Sequence, residues 1–402
     1  MQAESSPRRR AEASGRAIRG VQSAMSLHLR SVLIASATSV ALAAPARAQV
    51  IRNEQQRPPS MTLEQYEPRS MLVTRETPVP RAKFPFVDIH GHQNLTMSDG
   101  DLASLVKQMD AMNMRTMNNL SGGSGERLAA QVRNAHAKYP GRFTVFANID
   151  WSRVNDPNFA QSAAAQLERD VKEGGAVGLK IFKNLGMDTY WADGSRVRTD
   201  DPRLAPIWDK CGELGIPVLI HTAEPAAFFL PIDQHNERYL ELTQYPNRAR
   251  PTSKYPPFDS LMAEQHRMFK RHARTQFISA HLSWLGHDLQ RLSRTMDSIP
   301  NMNVEVAAAL YEIGRQPRGG REFFLKHQDR ILMGKDTFGG QDEFAVYFRI
   351  FETNDEYFPW YRRRHAFWGM YGLGLPDSVL QKVYYRNAMR LIKGMDRSGF
   401  PN

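Results

Sequence analysis

The stretch Phe86-Val87-Asp88-Ile89-His90-Gly91-His92 decides the fold, because it joins an apolar strand pattern to two histidines at its end. Residues two apart in a strand point to the same face, so His90 and His92 are predicted to aim their imidazoles at one point. Converging imidazoles are a common part of a metal site. This strand is therefore predicted to supply part of a metal centre.

Three later stretches repeat the pattern of a short apolar run that ends in a histidine or an aspartate. They are Pro217–His221, Gln276–His281 and Ile331–Asp336. In a parallel barrel the carboxyl ends of all strands meet at one face, so these three end residues are expected beside the first-strand histidines. Imidazole and carboxylate ligands suit zinc, and they also suit iron, manganese or nickel.

From Val87 onward, strand-like and helix-like stretches alternate, which indicates an α/β fold. A TIM-type (β/α)₈ barrel, which takes about 250 residues plus insertions, accounts for residues 86–395. The predicted strands are Val87–His92, Met114–Leu120, Phe143–Ile149, Val177–Phe182, Pro217–His221, Gln276–His281, Asn303–Ala307 and Ile331–Asp336.

Two long insertions are predicted at the carboxyl ends of strands 5 and 8. The first runs from His221 to about Pro257, and the second runs from Asp336 to about Leu375. Loops of this length in a compact domain usually have a function. Both insertions are therefore expected to lie over the mouth of the barrel.

Residues 1–48 are predicted to be an N-terminal extension and a signal peptide, and residues 49–85 a linker rich in Pro, Arg, Glu and Gln. A basic region ends at Arg30, an apolar run spans Ser31–Ala44, and Ala46-Arg47-Ala48 fits a cleavage site. The apolar run is too short to span a membrane. The protein is thus expected to be secreted or periplasmic after cleavage near Ala48. Translation is predicted to start at Met25, which would remove residues 1–24. The alternative is that these residues form a disordered or organelle-targeting arm.

The composition is that of an ordinary globular protein, with 41% hydrophobic and 24% charged residues. Residues 1–48 hold seven arginines against two acidic residues, so the rest of the chain carries only +6 of the formal net charge of +11. This mild excess does not favour nucleic-acid binding. Cys211 is the only cysteine, which excludes an intramolecular disulfide and a cysteine-based metal site. It is expected to be a small core residue on the apolar face of a helix.

Four motifs resemble those of the amidohydrolase superfamily and occur in the same order: Asp88-Ile89-His90-Gly91-His92, Val218-Leu219-Ile220-His221, Ile278-Ser279-Ala280-His281 and Ile331-Leu332-Met333-Gly334-Lys335-Asp336. The chain is most similar to the amidohydrolase-related branch, which includes aminocarboxymuconate-semialdehyde decarboxylase. The ending Arg386–Leu391 resembles the closing helix of that branch. One motif departs from the family, which more often has Ser or Thr where Lys335 stands. Strand alternation predicts that Lys335 points out of the barrel.

The resemblance implies a role for each motif residue. His90, His92 and His221 would bind the metal, and Asp336 would be a ligand or a base. His281 would be a catalytic acid/base, or a ligand of a second metal. The implied cofactor is one divalent metal ion, zinc in the first place, with manganese, iron or nickel as alternatives.

Lys180 lies in Val177–Phe182, where alternation places it inside the barrel. A buried ammonium group requires a partner. Lys180 is predicted to bind a substrate anion; the alternatives are a carboxylated lysine that bridges two metals, as in binuclear superfamily members, and a lysine that snorkels to the rim. Asn119 and Glu224 are candidates for contact with the substrate, and each is equally a candidate for support of a metal ligand. Glu305 is a lesser candidate, either for the substrate or for support of a ligand.

The expected function is that of a metal-dependent hydrolase, which uses a water activated by the metal on a small acidic or aromatic ester, lactone, amide or C–C substrate. The alternative is a metal-dependent decarboxylase of an aromatic or muconate-type acid. A second alternative is a non-catalytic barrel that binds a small acid. The expected partner is a small-molecule substrate, with no nucleic acid and no stable membrane span. The sequence leaves the oligomeric state open, and a homodimer is a candidate only by analogy with other barrels.

Overall fold

The computed structural model describes residues 60–363, 365 and 367–401. The predicted extension, the signal peptide and residues 49–59 of the predicted linker lie outside the described residues. All the elements below belong to one unit, Met61–Asn402. Among the described residues, no helix is both long enough and apolar enough to cross a membrane.

Short parallel strands form the centre of the described chain, and each lies in or within one residue of a predicted strand. They are β1 (Phe86–Gly91), β2 (Met114–Asn119), β3 (Phe143–Val145), β4 (Ala147–Asn148), β5 (Leu179–Ile181), β6 (Val218–Ile220), β7 (Phe277–Ser279), β8 (Met302–Glu305) and β9 (Ile331–Leu332). The predicted third strand is divided at Phe146 into β3 and β4. Consecutive strands pair in the order β1-β2-β3 and β4-β5-β6-β7-β8-β9.

Backbone hydrogen bonds continue across the places where the regular ladders stop. The Phe146 amide donates to the Asn119 carbonyl (2.9 Å), which connects the stretch between β3 and β4 to β2. The Ile89 amide donates to the Met333 carbonyl (3.0 Å), and the Asp336 amide donates to the His90 carbonyl (2.8 Å). The last strand therefore lies against the first, and the predicted TIM-type α/β fold is confirmed.

Helices follow the strands and cover the outside of the sheets. They are α1 (Asp99–Met112), α2 (Gly125–Lys138), α3 (Phe159–Lys172), α4 (Ala205–Leu214), α5 (Tyr239–Gln244), α6 (Phe258–Arg271), α7 (Leu289–Ser298), α8 (Leu310–Gly314), α9 (Pro317–Lys326), α10 (Gln341–Glu352), α11 (Asp377–Gln381) and α12 (Asn387–Leu391). A π-helical segment, Lys382–Arg386, joins α11 to α12. Cys211 is buried on α4, as predicted.

Leu285, Leu289, Leu292 and Met296 recur at helical spacing and predict a helix from Trp284 to Ile299. This prediction is wrong at its start, because α7 begins only at Leu289. The Asp288 side chain accepts a hydrogen bond from the Arg291 amide (2.9 Å) and caps this helix. The residues before it, His281 to Trp284, have φ values from 49° to 57° and form a left-handed turn. A left-handed backbone at Trp284 cannot continue into a right-handed helix, so the helix begins later than the apolar periodicity predicts.

The two insertions begin after β6 and β9, the fifth and eighth of the predicted strands. The first contains 3₁₀ segments at Ala226–Phe229 and Pro246–Arg248 on either side of α5. The second contains α10 and the antiparallel pair β10 (Phe358–Pro359) and β11 (Gly369–Met370). Arg238 of the first insertion donates to Tyr311 Oη on α8 (2.6 Å), and its guanidinium lies 5.7 Å from the Trp368 ring of the second. The insertions are thus joined by a buried arginine.

Lys335 does point away from the barrel interior, as strand alternation predicts. Its ammonium group lies 2.5 Å from Glu343 Oε2 on α10 and 4.9 Å from the centre of the Tyr361 ring. The departure from the family motif at this position therefore places a lysine outside the site, where it anchors α10.

His266 on α6 links the stability of the fold to pH. Its Nε2 atom is buried without a hydrogen-bond partner among the described residues. Burial lowers the pKa of His266 to about 4, and Arg291 and Lys270 act in the same direction. An unfolded histidine titrates near a pKa of about 6.5. The contribution of His266 to stability is therefore full above about pH 6.5 and is lost as the pH falls toward 4.

We predict that His266→Leu flattens the dependence of unfolding free energy on pH between 6.5 and 4, by up to about 1.4 kcal/mol per pH unit. Denaturant titrations of both proteins across this range, with metal removed by a chelator, measure the difference. The other histidines contribute to both curves and cancel. Parallel curves for the two proteins would contradict the prediction.

Candidate metal centre

The end of β1 presents two imidazoles, each held through its Nδ1 atom. His90 Nδ1 lies 2.9 Å from Glu305 Oε1, and His92 Nδ1 lies 2.8 Å from Ser121 Oγ. A carboxylate can only accept, so Nδ1 of His90 carries the proton and its Nε2 has a free lone pair. The Nε2 atoms of His90 and His92 lie 3.7 and 3.5 Å from Asp336 Oδ1.

These donor atoms fit one divalent metal ion. Ligands 2.0–2.1 Å from a tetrahedral ion lie about 3.4 Å from each other, close to the distances of both Nε2 atoms from Asp336. Among the described residues, donor atoms of His90, His281 and Asp336 also lie within 4.8 Å of one another. The nitrogen and oxygen donor set is compatible with several divalent metals.

His281 and His221 form a second pair of imidazoles beside this cluster. His281 Nδ1 lies 2.8 Å from the Ala307 carbonyl oxygen, which can only accept, so Nδ1 is the protonated nitrogen. His281 Nε2 lies 3.2 Å from His221 Nδ1 and can accept its proton. His221 Nε2 is buried, and it has no hydrogen-bond partner in the described part of the chain. This unpaired lone pair suits a metal ligand, although it is His281 that the structure groups with His90 and Asp336.

Asp336 keeps its carboxylate ionised. Burial would raise the pKa of this group, but His90, His281, His92 and Lys180 hold it well below its usual range. Its backbone is left-handed, with φ of 76°, and its amide donates to the His90 carbonyl (2.8 Å). The same residue therefore connects the end of the last strand to the first strand and directs a negative charge at the imidazoles.

Lys180 lies inside the site, where strand alternation places it. Its side chain is buried, with 1% of the residue exposed, and Nζ lies 3.5 Å from His90 Nε2. Burial lowers the pKa of Lys180 to about 8, while Asp336 and Glu305 act to raise it. The ammonium group also faces the Phe182 ring at 5.4 Å. The site thus contains a cation next to the proposed metal position.

Glu305 is the residue whose importance the sequence understates. Oε1 accepts from the His281 amide (2.8 Å) and from His90 Nδ1 (2.9 Å), and Oε2 accepts from the Ala307 amide. Burial raises the pKa of Glu305, and His281, Ala307 and Lys180 oppose that rise. One carboxylate therefore positions two imidazoles. The one feature of the sequence that could have indicated this role is a glutamate inside the apolar stretch Asn303–Ala307.

Asn119 supports the site from behind. It is fully buried; Oδ1 accepts from the amides of Gln93 (3.0 Å) and Ser121 (3.1 Å), and Nδ2 donates to Gln131 (2.9 Å). In this structure the Asn119 side chain is occupied in positioning the loop that carries Ser121, the partner of His92. Contact between Asn119 and a substrate stays a prediction.

Glu224 lies beside His221, with its Oε2 atom 4.0 Å from His221 Nε2. Its Oε1 atom accepts from Lys183 (2.5 Å) and from Arg250 (3.0 Å). Glu224 and Arg250 lie near the start and the end of the first insertion, so this ion pair fastens the base of the insertion next to the site. A role of Glu224 in substrate binding stays a prediction.

The left-handed turn from His281 to Trp284 fixes the direction of the His281 side chain. A left-handed conformation costs roughly 1–2 kcal/mol for each residue other than glycine. The Trp284 ring packs on the His281 ring at 4.5 Å between centroids. A turn of this cost at a site residue requires surrounding contacts that hold it.

Comparisons with known proteins match residues 87–393 to the family model described as amidohydrolase. No curated protein sequence is significantly similar to the chain. Several solved structures resemble it. A 2,6-dihydroxybenzoate decarboxylase in complex with 2,6-dihydroxybenzoate has a TM-score of 0.46 and 18% identity, and the match covers 77% of this chain and 99% of that one.

Two further structures resemble the chain to a similar degree. A TIM-barrel protein from Bordetella bronchiseptica has a TM-score of 0.49 and 16% identity, over 76% of this chain and 97% of that one. A dihydroxybenzoic acid decarboxylase from Polaromonas sp. JS666, with bound manganese and 2-nitroresorcinol, has a TM-score of 0.47 and 16% identity, over 77% of this chain and 96% of that one. The residues matched by the family model include all the predicted ligands and Lys180.

We predict that the chain from Gln49 onward binds one equivalent of divalent metal, and that His90→Ala/His92→Ala abolishes binding. Glu305→Gln should weaken metal affinity about 10–100-fold, because the amide no longer fixes the His90 imidazole as the carboxylate does. Elemental analysis and competition with a chelator measure both effects.

His327→Gln, which changes a histidine outside the site, is the matched control and should keep the metal. Two equivalents in the wild type would instead support a bridging role for Lys180. Full metal content in the His90→Ala/His92→Ala protein would contradict the assignment.

Proposed function

The chain belongs to the amidohydrolase family, and within this family we propose that it is a metal-dependent decarboxylase of a small aromatic or muconate-type acid. The observation that carries the proposal is the ammonium group of Lys180, buried 3.5 Å from His90 Nε2. Asp336 and Glu305 both act on this ammonium group, so a bound divalent metal would leave the site with excess positive charge, which favours a negatively charged ligand.

Decarboxylation breaks the bond between the carboxyl carbon and the substrate carbon. Carbon dioxide leaves, the electron pair stays on the substrate, and the same carbon then takes up one proton. Negative charge therefore grows on the substrate as the bond breaks. The fixed charge of Lys180 can stabilise that growing charge, because a preorganised cation in a site shielded from water acts more strongly than one in solvent.

His281 is the proposed carrier of the proton. Its Nδ1 is occupied by the Ala307 carbonyl, so only Nε2 can exchange a proton with the site. Its Nε2 accepts a hydrogen bond from His221 Nδ1 (3.2 Å), which orients the ring, and the proton that His281 passes to the substrate carbon is taken up from solvent. Three contacts hold His281: Glu305 accepts from its backbone amide, the Ala307 carbonyl accepts from Nδ1, and the Trp284 ring packs on the imidazole.

A divalent metal held by His90, His92, His221 and Asp336 would act as a Lewis acid toward an oxygen of the substrate. Zinc and manganese both suit this donor set. The chain's own contribution is to hold the imidazole nitrogens unprotonated toward the metal position and to keep Asp336 ionised.

Hydrolysis of an ester, lactone or amide is the second candidate, and Asp336 is the observation that favours it. The Asp336 side chain is 32% exposed, so water can reach it. Its low pKa, which imidazoles and Lys180 maintain against burial, leaves an ionised carboxylate that can orient a water molecule.

We predict that the metal-loaded protein releases carbon dioxide from one of a panel of hydroxybenzoates and muconates that includes 2,6-dihydroxybenzoate. Lys180→Met should lower kcat/KM by at least about 100-fold while the metal content stays unchanged, because a stabilising charge in a buried site is lost. Trapping of released carbon dioxide measures the reaction.

The matched control is Lys382→Met, which removes a half-buried lysine from the π-helical segment Lys382–Arg386. The Lys382 ammonium group pairs there with Asp329 (2.7 Å). This variant should keep its activity. Cleavage of esters or lactones without carbon dioxide release from any acid would replace the decarboxylase by the hydrolase. Equal activity of Lys180→Met and the wild type would remove the observation on which the proposal rests.

A further inference from the structure

Gln265 on α6 is fully buried and reaches both ends of the left-handed turn that carries His281. Its Nε2 atom donates to Ser279 Oγ (2.9 Å) and to Ser283 Oγ (3.0 Å). Ser279 ends β7, two residues before His281, and Ser283 follows His281 by two residues. One amide group therefore bridges the turn from the side of the outer helix.

The turn needs such a contact because its conformation is unfavourable without one. His281, Leu282 and Ser283 have φ values of 57°, 54° and 57°, and none of them is glycine. On the inner side, the His281 amide is held by Glu305 and its ring by Ala307. Those two contacts fix the start of the turn and the ring nitrogen, but they do not hold Ser283.

The hydrogen-bond directions make the donor nitrogen of Gln265 the important atom. Gln265 Oε1 is buried and has no hydrogen-bond partner within the described residues, so the side chain acts through Nε2 alone. Ser283 Oγ is also 3.8 Å from Met262 Sδ on the same helix, toward which its hydroxyl proton can point. The serine oxygens thus act as acceptors for one amide group.

We propose that Gln265 is a positioning residue, which fixes the left-handed turn between Ser279 and Ser283 and thereby aims the His281 imidazole into the site. The proposal deepens the proposed function, since it rests on His281 carrying the proton. Gln265 itself touches neither the metal ligands nor the substrate position, and it acts through the backbone of the turn.

The first test compares Gln265→Met in the metal-loaded full chain with the wild type. Met keeps the length of the side chain and removes the donor. We expect kcat to fall about 10–100-fold, the cost of a small misplacement of a catalytic group, while KM and metal content change less than about twofold.

A triple variant separates positioning from simple loss of stability. In Gln265→Met/Ser279→Ala/Ser283→Ala the polar partners are removed together, which can be nearly neutral for folding. If Gln265 positions His281, the melting temperature recovers and kcat stays low. Recovery of kcat together with stability would overturn the proposal.

Asn301→Leu is the matched control, because Asn301 is a buried amide at the opposite end of β7. Its Nδ2 atom donates to the carbonyls of Phe269 (3.0 Å), His272 (3.2 Å) and Thr275 (2.9 Å). This variant should lose stability and keep kcat. A fall in kcat as large as that of Gln265→Met would show that any buried amide beside β7 has the same effect, and would overturn the proposal.

A crystal structure of the Gln265→Met protein tests the proposal without any substrate. We expect the turn from His281 to Trp284 to relax and the contact between His281 Nδ1 and the Ala307 carbonyl to lengthen. An unchanged turn would overturn the inference even if kcat fell. If the wild type decarboxylates no acid, the proposed function fails, and the position of His281 in this variant still decides the role of Gln265.

Discussion

The site depends on one buried carboxylate, that of Glu305. Removing a carboxylate from water is costly unless hydrogen bonds replace the lost solvation. Here the amides of His281 and Ala307 and the His90 imidazole replace it, and they come from three separate segments of the chain. The Glu305 carboxylate is therefore satisfied only when β1, β7 and β8 are in their native positions, and the same contacts direct the imidazoles of His90 and His281.

The contact between the first strand and the last serves the site in a similar way. Asp88 Oδ1 accepts hydrogen bonds from the amides of His90 (3.0 Å) and Lys335 (3.1 Å). Asp88 on the first strand is therefore connected to the residues that follow the last strand, β9. Burial raises the pKa of Asp88 to about 7, and these amides act against that rise. Asp336 follows at once with its left-handed backbone. The cluster of His90, His92 and Asp336 thus depends on the contact between the first strand and the last.

Strand positions and most strand ends could be predicted, because a period of two and a ligand-type residue at the carboxyl end are local properties of the sequence. Alternation also placed Lys180 inside the barrel and Lys335 outside it. The left-handed turn after β7 could not be predicted, since its residues are ordinary L-amino acids. Its conformation depends on contacts with α6 and β8, which are distant in sequence. The start of α7 was missed for the same reason.

The roles of polar residues were harder to predict than their positions. Asn119 and Glu224 lie near the site as expected, yet their side chains are satisfied by other protein groups. Glu305 was one lesser candidate among several, because a single glutamate in an apolar strand does not reveal its partners. Hydrogen-bond partners across the barrel depend on the register of strands, and a sequence pattern carries little information about that.

The charges of the site favour a small anionic ligand once a divalent metal is bound. Lys180 carries one positive charge, Asp336 and Glu305 carry one negative charge each, and burial lowers the pKa of His90, His221 and His281 so that they stay neutral. These groups alone leave one net negative charge in a largely buried space. A divalent cation would turn that into one net positive charge, which a monocarboxylate substrate would neutralise. Uncompensated charge is costly in such a space, so the metal and an acidic substrate each make the binding of the other more favourable.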